Sequence, residues 1–128
     1  MCANLIITSE FKNKTLSMSI NRIELLQTYL KEEPDDAFTL YALALEYLKA
    51  ERYSEAKDYF STLVNKHSDY LPVYYQFGKL SEKLNEKEKA NEMYLKGIDL
   101  AKKLKDQHTL NELQQAFNSL NGIDIDEK

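Results

Sequence analysis

Sliding the sequence against itself by 34 residues superimposes Leu40 on Tyr74, Leu43 on Phe77, Ala44 on Gly78, Ala56 on Ala90 and Phe60 on Tyr94. A fixed period of this length restricts the fold to units that repeat along the chain, each burying its apolar face against the next. Within the first copy, Leu40, Leu43, Ala44 and Tyr47 recur at the spacing of one helical face. After a polar break at Glu51 and Arg52, Ala56, Tyr59, Phe60, Leu63 and Val64 do so again. The second copy starts with Tyr74, Phe77 and Gly78, is interrupted at Leu84, Asn85 and Glu86, and resumes with Ala90, Met93, Tyr94, Gly97, Ile98 and Ala101. Each copy predicts two helices.

Composition agrees with that reading. The chain has 128 residues, the size of one domain, and only three glycines and two prolines, too few turn-formers for a sandwich or barrel of short strands. Its 43% hydrophobic content, with nine tyrosines and five phenylalanines, suffices for a core and argues against a disordered chain.

The pattern resembles the tetratricopeptide repeat, a 34-residue helix-turn-helix with the signature aromatic-x-x-Leu-small-x-x-Tyr, then Ala-x-x-x-aromatic, then Pro. The first copy reads Leu40-x-x-Leu43-Ala44-x-x-Tyr47 and Ala56-x-x-x-Phe60, with Ser68 at the proline place. The second reads Tyr74-x-x-Phe77-Gly78-x-x-Ser81 and Ala90-x-x-x-Tyr94, with Lys102 at that place. The resemblance implies an all-α fold: antiparallel helix pairs stacked as a short right-handed superhelix of about six helices. It places repeats at 37–70 and 71–104. Ala44 with Ala56, and Gly78 with Ala90, are small where paired helices cross at the ~8–10 Å of close packing. Phe60 and Tyr94 are expected to reach from the second helix of each pair into the next unit.

Half-repeats flank the two copies, giving a domain over 18–121. A helix over 20–32 places Leu26 where Phe60 stands one period later and Tyr29 where Leu63 stands, with Asn21 and Glu24 as its start signal. Pro34, Asp35 and Asp36 stop that helix and cap the next. Leu110, Leu113, Phe117 and Leu120 mark a capping helix over 107–121 that Asn121 and Gly122 end. Residues 1–17 lack helical periodicity and read as a poorly structured extension; residues 122–128 read as a disordered acidic tail. Two origins fit residues 1–17: Met18 is the natural start, or Leu5-Ile6-Ile7 or Phe11 packs onto the helices.

Charge and motif content narrow the function classes. The net charge is -4, and the eight basic and five acidic residues of 79–105 alternate as on a solvated helix face, so nucleic-acid binding through that region is the weaker reading. A single cysteine, Cys2, excludes an intrachain disulfide and a thiolate metal site and points to a reducing, cytoplasmic setting. No apolar run approaches the ~20 residues of a membrane-spanning helix, and no secretory signal stands at the N-terminus. His67 and His108 are 41 residues apart and outside any ligand spacing, so no metal or other cofactor is expected. No phosphate loop, nucleophile elbow or Cys-His pair is present, and Glu32, Glu33, Asp35 and Asp36 read as a helix end and a helix cap. A non-enzyme is expected.

What the resemblance implies is a protein-interaction module holding a peptide or helix of a partner protein against the first helix of each pair. By place, the groove residues are Phe38, Tyr41, Leu45, Leu48 and Lys49 in the first copy and Tyr75, Lys79, Glu82 and Lys83 in the second. Members that clamp a chaperone's terminal carboxylate use Lys, Asn and Arg; the matching places here hold Tyr41, Leu45 and Gln76, so that ligand is not implied. The rival reading is a self-associating homodimer with no separate ligand, in which stacking ends such as the helix from Leu110 to Leu120 pair between copies.

Overall fold

The computed structural model describes Met18 and residues 20–123. The expected N-terminal extension, with Leu5, Ile6, Ile7 and Phe11, and the tail from residue 124 lie outside the described residues. Six helices and no strand are found among the described residues: α1 (20–32), α2 (Ala37–Lys49), α3 (Tyr53–Lys66), α4 (Pro72–Lys83), α5 (Lys87–Leu104) and α6 (Gln107–Leu120). The chain divides into two compact units, one running to Thr62 and one starting at Leu63.

Local chemistry sets the helix ends. The Asp36 carboxylate accepts from the Thr39 amide at 2.9 Å and the Thr39 hydroxyl at 2.7 Å, opening α2. Asp106 opens α6 in the same way, accepting from the Thr109 amide at 3.1 Å and hydroxyl at 2.8 Å. An aspartate in this place satisfies an amide that the helix leaves unpaired and places its charge at the positive end of the dipole. Pro72 sits in the first turn of α4, where an amide proton is dispensable.

Four joints share one geometry. Glu51, Asn85, Lys105 and Gly122 adopt left-handed φ values of 61°, 60°, 58° and 69°. At each joint that residue's amide bonds the carbonyl three residues back, and the next amide reaches the carbonyl five back. These closing bonds are Arg52 to Tyr47 at 2.9 Å, Glu86 to Ser81 at 2.8 Å, Asp106 to Ala101 at 3.0 Å and Ile123 to Asn118 at 2.8 Å. This double closure is the Schellman arrangement, which satisfies the last carbonyls of a helix. Glu51 and Asn85 stand one 34-residue period apart, so the turn repeats with the helices. Few glycines are needed because three of the four joints use other residues.

Among the described residues of the first unit the buried apolar set is Ile23, Leu40, Leu43, Ala44, Tyr47, Ala56 and Phe60. The α2–α3 pair is antiparallel: the Tyr41 ring lies 6.4 Å from that of Phe60, and Tyr47 stacks on Tyr59 at 5.5 Å with 11° between planes. Helix α1 is fastened to α2 by Gln27, whose amide donates to the Tyr47 hydroxyl at 2.8 Å.

In the second unit α5 packs on both α4 and α6. Gly97 supplies the close approach: a Cβ there would stand 2.7 Å from the Tyr74 Cβ and 2.9 Å from a Leu113 methyl. Asn91 and Asn121 exchange side-chain amide bonds of 3.2 and 2.8 Å, tying the start of α5 to the end of α6.

Four expectations are corrected. Tyr29 does not occupy a core place; it is 52% exposed, and Ile23 is the buried residue of α1. Asn21 does not start that helix, because Ile20 is already helical. The buried face of α6 is Leu113 with Ala116, while Leu110, Phe117 and Leu120 are half-buried. The Tyr94 ring packs over Gly78 and donates to Glu82, so it turns back onto the first helix of its own pair.

Candidate functional site

Two helix faces carry the residues assigned to partner binding. On α2, Phe38, Tyr41, Leu45 and Leu48 are spaced three, four and three apart, which forms one stripe along the helix opposite the buried Leu40, Leu43, Ala44 and Tyr47. Phe38, at the head of the stripe, is 68% exposed, while Tyr41, Leu45 and Leu48 are half-buried. Such a phenyl ring gains by being covered and has little intrachain reason to stay in water. The Tyr41 ring is held by its tilted contact with Phe60. Lys49 ends the stripe, exposed, with its Nζ 3.6 Å from Glu46 Oε1.

The α4 face is polar by comparison. Tyr75 is half-buried, with the Lys79 ammonium 5.9 Å from its ring centre, and Lys79 and Lys83 are exposed. Glu82, assigned to the groove with them, is engaged within the fold. Its carboxylate accepts the Tyr94 hydroxyl, and Lys79 Nζ stands 3.9 Å from the same oxygen. Burial, and then the bond to Glu82, pushes the Tyr94 phenol far above its ordinary value of 10.0.

All eleven signature residues, Leu40, Leu43, Ala44, Tyr47, Ala56, Phe60, Tyr74, Phe77, Gly78, Ala90 and Tyr94, are buried. Ser81, at the place Tyr47 takes one period earlier, is fully buried as well, and its hydroxyl has no hydrogen-bond partner. The polar ring around Tyr47 has no counterpart in the sequence pattern. There Gln27 donates to its hydroxyl, Tyr59 stacks on its face, and the Arg52 guanidinium lies 4.9 Å from its ring centre. Those partners come from α1, α3 and the α2–α3 joint, and no local spacing links them.

Among the described residues no group of three or more His, Cys, Asp or Glu is placed to hold a metal ion. The His67 amide closes α3 by donating to the Leu63 carbonyl at 2.7 Å. A surface hollow of about 230 Å³ at the α5–α6 joint is lined by Ala101, Lys102, Lys105, Asp106, Gln107 and Leu110. Its one carboxylate, Asp106, is engaged in capping α6. No helix among the described residues is long and apolar enough to cross a membrane.

The family model of the tetratricopeptide repeat matches residues 71–104. The crystal structure of a tetratricopeptide repeat domain protein from Salinibacter ruber is 40% identical to this chain, with a TM-score of 0.66 over 70% of this chain and 99% of that one. The chain belongs to the tetratricopeptide repeat family. A solution NMR structure of a tetratricopeptide repeat domain protein from Salinibacter ruber agrees, at 40% identity and a TM-score of 0.67 over 72% of this chain and 93% of that one. The crystal structure of MamA is similar in fold alone, at 18% identity and a TM-score of 0.61 over 82% of this chain and 68% of that one. No curated protein matches the sequence. The tetratricopeptide fold is in general that of a protein-interaction scaffold, and the family is typically non-catalytic.

Proposed function

We propose that this tetratricopeptide repeat protein is a non-catalytic interaction module that takes a peptide or helix of a partner protein onto the first helix of each repeat. The single observation that carries this reading is Phe38: a large aromatic residue, 68% exposed, heading an apolar stripe on the first helix of the first repeat. An exposed aromatic beside half-buried Tyr41 and Leu45 is the kind of residue that dominates binding energy once covered. The α2 face suits an apolar segment. The α4 face, taken by itself, presents Lys79 and Lys83 and suits acidic side chains. Cytoplasmic residence is in keeping with the single cysteine.

Selection from a displayed peptide library against the purified protein tests this. The expected outcome is a set of apolar peptides whose binding drops at least tenfold for Phe38→Asp, a surface change that leaves the thermal midpoint unchanged. Peptides that bind Phe38→Asp and wild-type protein equally would overturn the assignment of the α2 face.

A further inference from the structure

Helix α1 is amphipathic in two directions. Its inner face carries buried Ile23 with half-buried Leu26, Gln27 and Leu30. Its outer face carries Arg22, Leu25, Tyr29 and Glu32, spaced three, four and three apart, and the helical Met18 just before it stands four residues ahead of Arg22, which continues the alternation of a two-helix seam. Met18, Leu25 and Tyr29 are 50%, 54% and 52% exposed. Of the spaced residues, Arg22 reaches Glu46 on α2 at 3.4 Å, and the exposed Met18, Leu25 and Tyr29 stand apart from Ile23, the buried residue of α1.

We propose that the outer face of α1 pairs with the same face of a second copy of this chain, the two helices running antiparallel about a two-fold axis. Charge selects the direction and the register. A parallel pair would set Arg22 against Arg22 and Glu32 against Glu32. The antiparallel register that places Leu25 opposite Tyr29 of the second copy places Arg22 opposite Glu32 of that copy, and two-fold symmetry makes each contact twice. Arg22 is able to turn outward: its guanidinium is 55% exposed and reaches Glu46 only at 3.4 Å. In this register the two helices overlap over residues 22–32, a seam of about three helical turns that covers less than the ~1,200 Å² of a standard interface. The dimer is therefore weak, and its formation depends on concentration in the micromolar range and above.

The experiment is sedimentation equilibrium of the full chain over a range of concentrations, with Arg22→Glu, Glu32→Arg and an equimolar mixture of the two. Each variant alone sets like charges across the seam, and each should bind its own kind at least tenfold more weakly than wild type does. In the mixture both cross-seam pairs become Glu with Arg, so a heterodimer of near wild-type affinity should form, which no loss of folding can imitate. Leu25→Asp, which leaves the Arg22–Glu46 contact intact, should be monomeric with unchanged helix content by circular dichroism. A wild-type protein that stays monomeric throughout, variants that dimerise as wild type does, or a mixture that fails to recover association would each overturn the proposal.

Discussion

The ring of Tyr94 occupies the space that a side chain at Gly78 would need. A Cβ at Gly78 would stand 2.7 Å from the Tyr94 Cδ1 and 2.8 Å from its Cζ, closer than real atoms approach. The ring is pinned there because its hydroxyl donates to Glu82 one turn further along α4. Both residues are buried, so neither side has room to give. Gly78→Ala is therefore expected to destabilise the second unit by about 1–3 kcal/mol through overpacking. Gly97→Ala should fall in the same range, since its Cβ would meet the Tyr74 Cβ and a Leu113 methyl. Urea unfolding followed by circular dichroism checks both, and a loss below about 0.5 kcal/mol for either would show that the packing yields.

The left-handed joints predict changes of the opposite sign. Glu51 and Lys105 hold φ values of 61° and 58°, a region that strains side chains and suits glycine. Glu51→Gly and Lys105→Gly should each raise stability by about 0.5–1 kcal/mol, less the extra freedom glycine adds to the unfolded chain. Asn85→Gly should gain less, because asparagine tolerates the left-handed region. Thermal midpoints of the three variants give the order, and a fall on Glu51→Gly would contradict the capping argument.

Alkaline pH should unfold the protein through its buried phenols. Burial raises Tyr59, Tyr74 and Tyr94 above their ordinary 10.0 in the folded state. A raised folded value means the folded chain holds these protons more tightly, so their contribution is complete below about pH 10 and is lost as pH climbs beyond it. At the acid end the sign reverses. Hydrogen bonds from Arg52, Lys96 and the Thr109 amide lower Glu55, Glu92 and Asp106 respectively, so their contribution is present above about pH 4.5 and disappears as pH falls. Tyr94→Phe should be less stable at neutral pH by about 1 kcal/mol, for the lost hydrogen bond, and should show a shallower alkaline decline. Unfolding curves at a series of pH values, read beside a tyrosinate titration, make the comparison.

Removing a hydroxyl should also help, at Ser81. Its hydroxyl is fully buried and unpartnered, a state that costs about 1–3 kcal/mol relative to an apolar group of similar shape. Ser81→Ala removes that cost and favours the helix, so stability should rise by about 1 kcal/mol. A loss on calorimetry would mean that the hydroxyl has found a partner.

Much of this fold was legible in the sequence because helix pairs of a 34-residue period obey local rules. The 3.6-residue pitch alone sorts Leu40, Leu43, Ala44 and Tyr47 to one side of α2, and Asp36 with Thr39 marks its start before any packing is known. The flanking helices were harder to orient. With no second copy to fix their rotation, helical spacing offers Tyr29 and Leu110 as core residues, whereas the surfaces they meet bury Ile23 and Ala116 instead. Among the candidate site residues, the stripe from Phe38 to Leu48 followed from the resemblance, which implies a groove on the first helix of each pair. The engagement of Glu82 by Tyr94 did not, because a hydrogen bond between helices leaves no trace in the spacing of either.

Pitch, capping and the alternation of small and large residues are properties of the chain alone, and they suffice to specify two helices per repeat and the inward faces of α2 and α4, while their antiparallel pairing is what the family resemblance implies. Other outcomes arise only once the helices meet: Tyr94 folds back over Gly78, Tyr47 gathers Gln27, Tyr59 and Arg52, and α1 leaves Met18, Leu25 and Tyr29 in water. Each of those depends on the shape and hydrogen-bonding capacity of a neighbouring helix, which no single segment encodes.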